Sequence, residues 1–146
     1  MIPEFDADGN LSAGIHDCTW RELTQRFGKG PHRQRLLKGL KAALDSLKAA
    51  GCQTVFVNGS FVTAKSVPGD FDACWDLKGV DPQRLDPVLL KFDDGRIAQR
   101  TKYGGELFPA QFSEGVTGKR FMEFFQVDKQ TGKAKGIIVL DLRSLP

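Results

Sequence analysis

The sequence lacks the features that mark a membrane-bound or secreted protein. No stretch approaches the roughly 18 consecutive apolar residues of a membrane-spanning helix. The first ten residues, MIPEFDADGN, are acidic and contain no apolar run, so we expect no signal peptide. The three cysteines are an odd number without close spacing, which favours reduced thiols over a disulfide framework. We therefore expect a cytoplasmic protein that has no membrane partner.

Charge and histidine are too scarce to indicate a function by themselves. The formal net charge is +3, which is too weak an excess to indicate nucleic-acid binding. The two histidines, His16 and His32, have no partners at the spacing of metal ligands, so we expect structural roles for both. No internal repeat or low-complexity segment is present. Any indication of function therefore has to come from a local motif.

The residues that are present suffice for one folded domain. The chain has 146 residues, 40% of them are hydrophobic, and 11 are phenylalanines. A chain of this length buries roughly two-thirds of its unfolded surface, so it needs no disulfide or metal to hold its core. We predict a single domain over residues 1–146, in which residues 1–15 are an irregular lead-in.

Two segments in the first third of the chain predict helices. Segment 17–28, DCTWRELTQRFG, has Thr19 and Glu22 at capping-box spacing and ends in a glycine. Segment 31–51 starts with proline, ends with glycine and carries leucines at helical spacing, which predicts a longer helix with one buried stripe. The basic residues of that helix, Arg33 among them, lie largely off the stripe, so we expect them to be solvated.

Three segments predict strands because they are rich in β-branched and aromatic residues: CQTVFVN at 52–58, DFDACWDL at 70–77 and GIIVLDL at 136–142. Segment 81–92 indicates a helix or two helical turns, and the polar, basic, glycine-rich segment 93–109 indicates a long loop. Segment 118–127 suits either a helix end or a strand. Together these elements predict an α/β (α+β) fold, with a small mixed sheet of three to five strands and helices mainly on one face.

The segment between the first two predicted strands, VNGSFVTAKSVPGDFDACWD, carries the clearest chemical motif. On a strand, residues i and i+2 share a face with Cα atoms about 6.6 Å apart, so Asp70 and Asp72 project together. Two carboxylates at this spacing suit one or two Mg²⁺ ions, which prefer oxygen ligands and share their shell with phosphate. The alternation also leaves the aspartates on the open face of the sheet and the apolar residues against the helices.

The Gly-Ser turn upstream of the aspartates suits a phosphate. Gly59 permits close approach of the backbone, Ser60 offers a hydroxyl and an N–H group, and Lys65 adds positive charge. The octapeptide GSFVTAKS also approaches the P-loop pattern, but Ala64 replaces a required glycine. A Pro-Gly pair soon afterwards would break the helix that a P-loop must open. The P-loop interpretation would need Lys65 at a helix N-terminus.

Together these motifs resemble the nucleotidyltransferase superfamily typified by DNA polymerase beta. Its signature is a strand, a Gly-Ser pair, a short linker and Asp-x-Asp on the next strand, which here are Gly59-Ser60 and Asp70-Phe71-Asp72. The lead-in PEFDADGNLSAGIHDCTWRELTQRFG and the closing KGIIVLDL also resemble a small prokaryotic and phage family described as nucleotidyltransferase-like. The resemblance covers most of the chain and implies a minimal nucleotidyltransferase fold.

The resemblance also implies a reaction, a cofactor and partners. An enzyme of this kind moves a nucleoside monophosphate from an NTP to a hydroxyl of an RNA, a protein or a small molecule, with one or two Mg²⁺ ions. Small relatives often belong to toxin–antitoxin or phage-defence modules, so a cognate protein partner is implied as well. The expected site residues are Asp70, Asp72 and Asp141 for catalysis and metal binding, and Gly59, Ser60 and Lys65 for nucleotide binding.

A non-catalytic alternative stays open. Val62-Thr63 and Gly69 stand where small members of the family often have Ala-Arg and Ser, and the alternative is a degenerate relative that binds a protein or nucleic-acid partner. The position of Asp141 discriminates, because a two-metal site needs it within about 4–6 Å of the other two carboxylates. The basic residues Arg96, Arg100, Lys102, Lys119 and Arg120 offer contacts for phosphate or RNA, although a solvated, mobile loop is the simpler interpretation.

Overall fold

The polypeptide forms a five-stranded mixed sheet and four α-helices, and the computed structural model describes all of residues 1–146. In chain order the elements are β1 (Ile15–Asp17), α1 (Trp20–Phe27), α2 (Pro31–Ala49), β2 (Thr54–Asn58), β3 (Phe71–Trp75), α3 (Asp93–Tyr103), β4 (Gly105–Pro109), α4 (Phe121–Phe124) and β5 (Ile137–Asp141). The predicted α+β class is confirmed.

Both N-terminal helices form where their end signals lie. The Thr19 hydroxyl accepts a hydrogen bond from the Glu22 N–H, and the Glu22 carboxylate accepts one from the Thr19 N–H, which completes a capping box before α1. Pro31 occupies the first turn of α2, and the apolar residues of that helix face the interior. The expectation that Arg33 is solvated is wrong, because this residue is only 8% exposed.

The sheet has the strand order β1-β5-β2-β3-β4. The central strand β2 is antiparallel to both of its neighbours, whereas the outer pairs β1/β5 and β3/β4 are parallel. Since β3 and β5 both run against β2, their first residues lie beside the last residues of β2. This end of the sheet is therefore where the Gly-Ser turn, the start of β3 and the start of β4 meet.

The two faces of the sheet are covered differently. On one face, side chains of α1, α2 and α3 join strand residues such as Val55 and Trp75 in a hydrophobic cluster of 25 buried residues. On the other face, a cluster of four buried residues that includes Cys74, Phe108 and Phe125 is surrounded by partly buried phenylalanine rings. We call this second face the aromatic face.

The prediction of a long loop over residues 93–109 is wrong, because α3 and β4 occupy this segment. Between them Gly104 has a φ of 83°, a left-handed conformation that glycine adopts at low cost. Strand β4 pairs with β3 on one side, and the N–H of Leu107 donates to the buried side chain of Gln99 in α3 at 2.8 Å. The pairing of β4 with β3 joins residues that are far apart in the sequence, so local composition does not reveal it.

Three smaller segments for which the sequence made predictions are the lead-in and the segments 81–92 and 118–127. The lead-in is irregular as expected, except that its last residue begins β1, a strand that the sequence analysis missed. The segment 81–92 contains one 3₁₀ turn at Pro87–Leu90, and the ambiguous segment 118–127 contains the short helix α4. No helix in the structure has both the length and the apolar character that crossing a membrane would require.

Candidate functional site

The Gly-Ser turn and the Asp-x-Asp strand are in direct contact. Strand β2 ends at Asn58, Gly59 follows with a φ of 75°, and Ser60 begins a single 3₁₀ turn. A Cβ atom at position 59 would overlap the carboxylate of Asp72. Glycine is therefore needed both for the left-handed backbone and for the close approach of the Asp72 side chain.

Three carboxylates meet at the end of the sheet beside this turn. Asp72 lies opposite Asn58 in β2 and opposite Glu106 in β4. Asp70 precedes it by two residues, and Asp70, Asp72 and Glu106 line one cavity on the aromatic face. The structure thus brings together the two predicted aspartates and adds Glu106, which the sequence analysis missed because it assigned segment 93–109 to a loop. The polar–apolar alternation of GELFP is the signal that could have revealed it.

The prediction that Asp141 completes this site is wrong. The register pairs Asp141 with Thr54, four residues before Asn58 along β2, which corresponds to about 13 Å. Because β5 runs against β2, its first residues lie beside Asn58, and its last residue lies at the far end of the sheet. The Asp141 carboxylate is exposed there and pairs with the guanidinium of Arg143 at 3.0 Å.

The protein environment favours the protonated form of the two aspartates. Burial, followed by the neighbouring carboxylates of Asp70 and Glu106, raises the pKa of Asp72 to about 7. Burial and the carboxylate of Glu106 also raise the pKa of Asp70, although Arg100 and Arg96 oppose the shift. When ionised, Asp70 and Asp72 repel each other and the nearby Glu106 carboxylate, so a cation bound beside the two aspartates would relieve an unfavourable arrangement.

A polar cavity of about 630 Å³ lies on the β2 side of these carboxylates. Its wall contains the Gly-Ser turn, three lysines (Lys65, Lys129 and Lys135) and three aspartates (Asp8, Asp72 and Asp128). Burial lowers the pKa of Lys135, while the carboxylates of Asp128 and Asp72 oppose that shift. Asp8 lies 3.8 Å from Lys133, and Asp128 accepts hydrogen bonds from the side chain of Asn10 and the N–H of Gln130. The lysines and the Gly-Ser turn can contact a polyanion such as a triphosphate, and Asp72 can hold the cation that accompanies it.

An aromatic cavity of about 450 Å³ lies on the β4 side. It contains Asp70, Glu106 and Arg96 together with the rings of Phe121 and Phe124. Asp72 lines both the polar cavity and the aromatic cavity, so it stands at the junction between them.

The segment that follows the Gly-Ser turn is fixed by a buried arginine. The guanidinium of Arg33 donates hydrogen bonds to the backbone carbonyls of Phe27, Phe61, Thr63 and Lys65, at distances from 2.6 to 3.2 Å. Burial lowers the pKa of Arg33. These bonds hold the end of the 3₁₀ turn and the irregular residues 63–65 that follow it, so Lys65 lines the polar cavity without lying at a helix N-terminus. The P-loop interpretation is therefore contradicted by the geometry.

The resemblance implies Mg²⁺, and two of the carboxylates suit this ion. The chain contains no group of three or more His, Cys, Asp or Glu side chains arranged to hold a metal ion by themselves. Mg²⁺, however, usually keeps several waters and binds through one or two carboxylates together with substrate phosphates. Asp70 and Asp72, beside a cavity suited to phosphate, fit a Mg²⁺ ion that arrives with a nucleotide.

Comparison with known proteins gives one family match. A family model described as a family of unknown function (DUF6932) matches residues 3–141. No curated protein and no solved structure matches the chain. A function therefore has to be argued from the geometry of the site itself.

Proposed function

The chain belongs to this family of unknown function, DUF6932, and from the geometry of its site we propose that it is a Mg²⁺-dependent nucleotidyltransferase. It would transfer a nucleoside monophosphate from an NTP to a hydroxyl group. One observation carries the proposal. Asp70, Asp72 and Glu106 line one cavity at the end of the sheet, and Asp72 also contacts the Gly-Ser turn and lines the polar cavity that contains three lysines.

Each part of the site has a role in this reaction. Ser60 and the backbone N–H groups near Gly59 hold the β- and γ-phosphates, and Lys65, Lys129 and Lys135 neutralise their charge. Asp70 and Asp72 would hold Mg²⁺, which supplies charge stabilisation to the phosphoryl oxygens when bound.

The reaction itself exchanges one phosphate ester bond for another. The bond between the acceptor oxygen and the α-phosphorus forms, the bond from that phosphorus to the leaving pyrophosphate breaks, and the acceptor proton passes to a carboxylate. Glu106 lies on the β4 side of Asp72, away from the Gly-Ser turn, and is placed to accept that proton.

The first test is nucleotide binding by calorimetry, with ATP, GTP, CTP and UTP in the presence of Mg²⁺. We expect wild-type protein to bind at least one of them, and the Asp70→Asn/Asp72→Asn double variant to bind about ten-fold more weakly or not at all. Asp141→Asn is the matched control, because it removes a strand carboxylate at the far end of the sheet and should leave the affinity unchanged. Equal binding by all three proteins would place nucleotide binding elsewhere.

The second test measures transfer. Wild-type protein with Mg²⁺, a radiolabelled NTP and a mixture of acceptors should release pyrophosphate and label one acceptor, and Glu106→Gln should lose this activity while keeping nucleotide affinity within about three-fold. Loss of affinity in Glu106→Gln would instead give that side chain a role in binding.

Two observations favour a second candidate, a relative that binds a partner without catalysis. Asp141, whose position discriminates between the two functions, lies at the far end of the sheet, so it does not complete a two-metal site. The guanidinium of Arg96 lies 3.2 Å from the Glu106 carboxylate, so the third acid already has an ion-pair partner. If the protein binds a partner without catalysis, nucleotide binding would persist and no acceptor would be labelled.

We further propose that the protein acts in the cytoplasm, where NTPs are abundant and its three free cysteines stay reduced. We also propose that a cognate protein partner encoded nearby regulates it. Co-purification with that partner tests the last point.

A further inference from the structure

The site has two sides, and the chemistry of an in-line displacement assigns a role to each. The attacking and leaving oxygens lie roughly opposite one another across the transferred phosphorus. The leaving pyrophosphate belongs with the lysines and the Gly-Ser turn of the polar cavity. The acceptor therefore enters from the opposite side of Asp72, where the aromatic cavity and Glu106 lie.

A stack of three nearly parallel phenylalanine rings ends at the aromatic cavity. The Phe92 and Phe108 centroids are 5.9 Å apart and those of Phe108 and Phe121 are 4.1 Å apart, with 12° between the ring planes in each pair. Phe121 is the last ring of this stack and the half-buried one that lines the cavity. Such a stack accepts one more planar ring at its end.

Arg96 links this stack to the carboxylates. The backbone at Asp94, Gly95 and Arg96 has φ of 50°, 64° and 59°, a left-handed run that is unfavourable for the two residues with side chains. It directs the Arg96 guanidinium over the Phe108 ring, 5.8 Å from its centroid, and towards Glu106. The Nε atom of Arg96 is buried and has no hydrogen-bond partner. The rest of the guanidinium is partly exposed and lines the cavity beside Glu106, so it can contact an anionic group of a ligand.

The rim of the aromatic cavity adds positive charge. A hairpin closed by the bridge between Ser113 and Arg120 supplies part of the cavity wall. Its basic side chains, Lys119 and Arg120, are exposed and form no ion pair. Glu114 also lines the cavity, but its carboxylate already accepts hydrogen bonds from the N–H groups of Val116 and Thr117. The hairpin therefore carries two cations, Lys119 and Arg120, and the cavity wall carries another, Lys129, that a phosphate can contact.

We propose that the aromatic cavity is the acceptor site and that the acceptor is the 3′-terminal nucleoside of a single-stranded nucleic acid. The terminal base stacks on Phe121, the preceding phosphate meets Arg96, Lys119 and Arg120, and the ribose hydroxyl faces Asp72 and Glu106. The new bond joins this hydroxyl oxygen to the α-phosphorus, pyrophosphate leaves, and the hydroxyl proton passes to a carboxylate. This inference rests on the proposed nucleotidyltransferase function.

The test is fluorescence anisotropy with a short single-stranded oligoribonucleotide labelled at its 5′ end, and with the same probe made as DNA. Wild-type protein should bind at least one probe, and Phe121→Leu should weaken that binding by about ten-fold. The matched control is Phe92→Leu, which removes a ring from the other end of the stack, outside the cavity that contains the carboxylates, and should change the affinity by less than about two-fold. Lys119→Gln/Arg120→Gln should also weaken binding and reduce its dependence on salt concentration.

Calorimetry with Mg²⁺ and an NTP, run on the same proteins, separates the two proposals. Unchanged NTP binding by Phe121→Leu together with weaker probe binding supports the acceptor site. NTP binding without any probe binding overturns the acceptor site and leaves the nucleotidyltransferase proposal standing. Weaker NTP binding with unchanged probe binding also overturns it, because the cavity would then hold the donor base. Absence of NTP binding overturns both proposals.

Discussion

On the helix-covered face of the sheet, 25 buried hydrophobic residues form one cluster, whereas the aromatic face has a cluster of only four and carries half-buried acids at one end. The first face resembles an ordinary core, in which every side chain removes apolar surface from water. The second shields Asp70 and Asp72 from water beside the Glu106 carboxylate, which raises the pKa of both aspartates and lowers stability when they are ionised. The helix-covered face therefore stabilises the fold, whereas the aromatic face carries the acidic groups of the candidate site.

The largest effect is expected on the helix-covered face. Leu44 in α2 is fully buried, so Leu44→Ala should lower the free energy of unfolding by about 2–5 kcal/mol through lost transfer energy and a cavity. Phe112→Ala, at a residue that is 44% exposed beside the aromatic face, should cost less than about 1 kcal/mol. Urea denaturation measures both. Similar losses would show that the aromatic face is as important for stability as the core.

The next effect has the opposite sign. Because burial raises the pKa of Asp72 to about 7 from 3.8, the folded protein binds this proton more tightly than the unfolded chain does. The stability that comes with the proton is full below about pH 4, is lost as the pH rises from about 4 to 7, and is absent above that range. Asparagine does not ionise, so without divalent metal Asp72→Asn should be more stable than wild type at pH 8 by roughly 2–4 kcal/mol, the upper value being the full shift at about 1.4 kcal/mol per pKa unit.

Thermal unfolding at several pH values checks this prediction. The gain in Asp72→Asn should shrink towards zero near pH 4, where the aspartate is protonated in both states. A gain that is the same at every pH would mean that it comes from packing rather than from the buried charge.

A third prediction concerns the backbone next to the Gly-Ser turn. Lysine cannot reproduce the fork of donors by which Arg33 holds the carbonyls of residues 61–65, so Arg33→Lys should weaken binding of Mg²⁺ and NTP by about ten-fold. Arg26→Lys is the matched control, since Arg26 donates to the carbonyl of Pro3 and lies over the Phe5 ring. Calorimetry, run at a temperature where both variants are folded, should show normal affinity for Arg26→Lys. Equal losses in the two variants would reduce Arg33 to a general stabilising role.

The smallest expected effect is on NTP affinity and concerns a lysine that lines the polar cavity. Lys135 is half-buried and lines that cavity, whereas Lys133, two residues earlier, is exposed and lies 3.8 Å from Asp8. Lys135→Gln should weaken NTP binding by about five-fold, and Lys133→Gln by less than two-fold, since Lys133 does not itself line the cavity and its exposed charge is screened by salt. The same calorimetric titration compares the two. Equal effects would indicate a general electrostatic attraction rather than a contact with phosphate.

The sequence predicts those parts of the site that are local. Gly59, Ser60, Asp70 and Asp72 fall within 14 residues, and the alternation of β3 is enough to place both aspartates on the open face. Glu106 could not be placed in the same way, because its position depends on the pairing of β4 with β3, and β4 follows a polar helix rich in turn-forming residues. Arg33 was missed for a related reason, since its partners are carbonyl groups, which no side-chain pattern reveals.

Asp141 shows the limit of matching a residue to a motif. Its strand was predicted correctly, but the direction of that strand relative to β2 decides which end of it meets Asn58. Strand direction is set by long-range pairing, which a single sequence does not display. An acid at the end of a correctly predicted strand is therefore a weak indication of a shared site.

The hydrogen bond from Leu107 to Gln99 has a consequence for how molecules can reach this protein. An open edge strand recruits strands from other chains, which leads to aggregation or to recognition by strand addition. At the β4 edge, Gln99 already accepts the bond that an incoming strand would need at Leu107, and the opposite edge, β1, is only three residues long. The sheet is thus poorly suited to gain a further strand at either edge. A molecule that binds beside Glu106 has to approach across the face of the sheet.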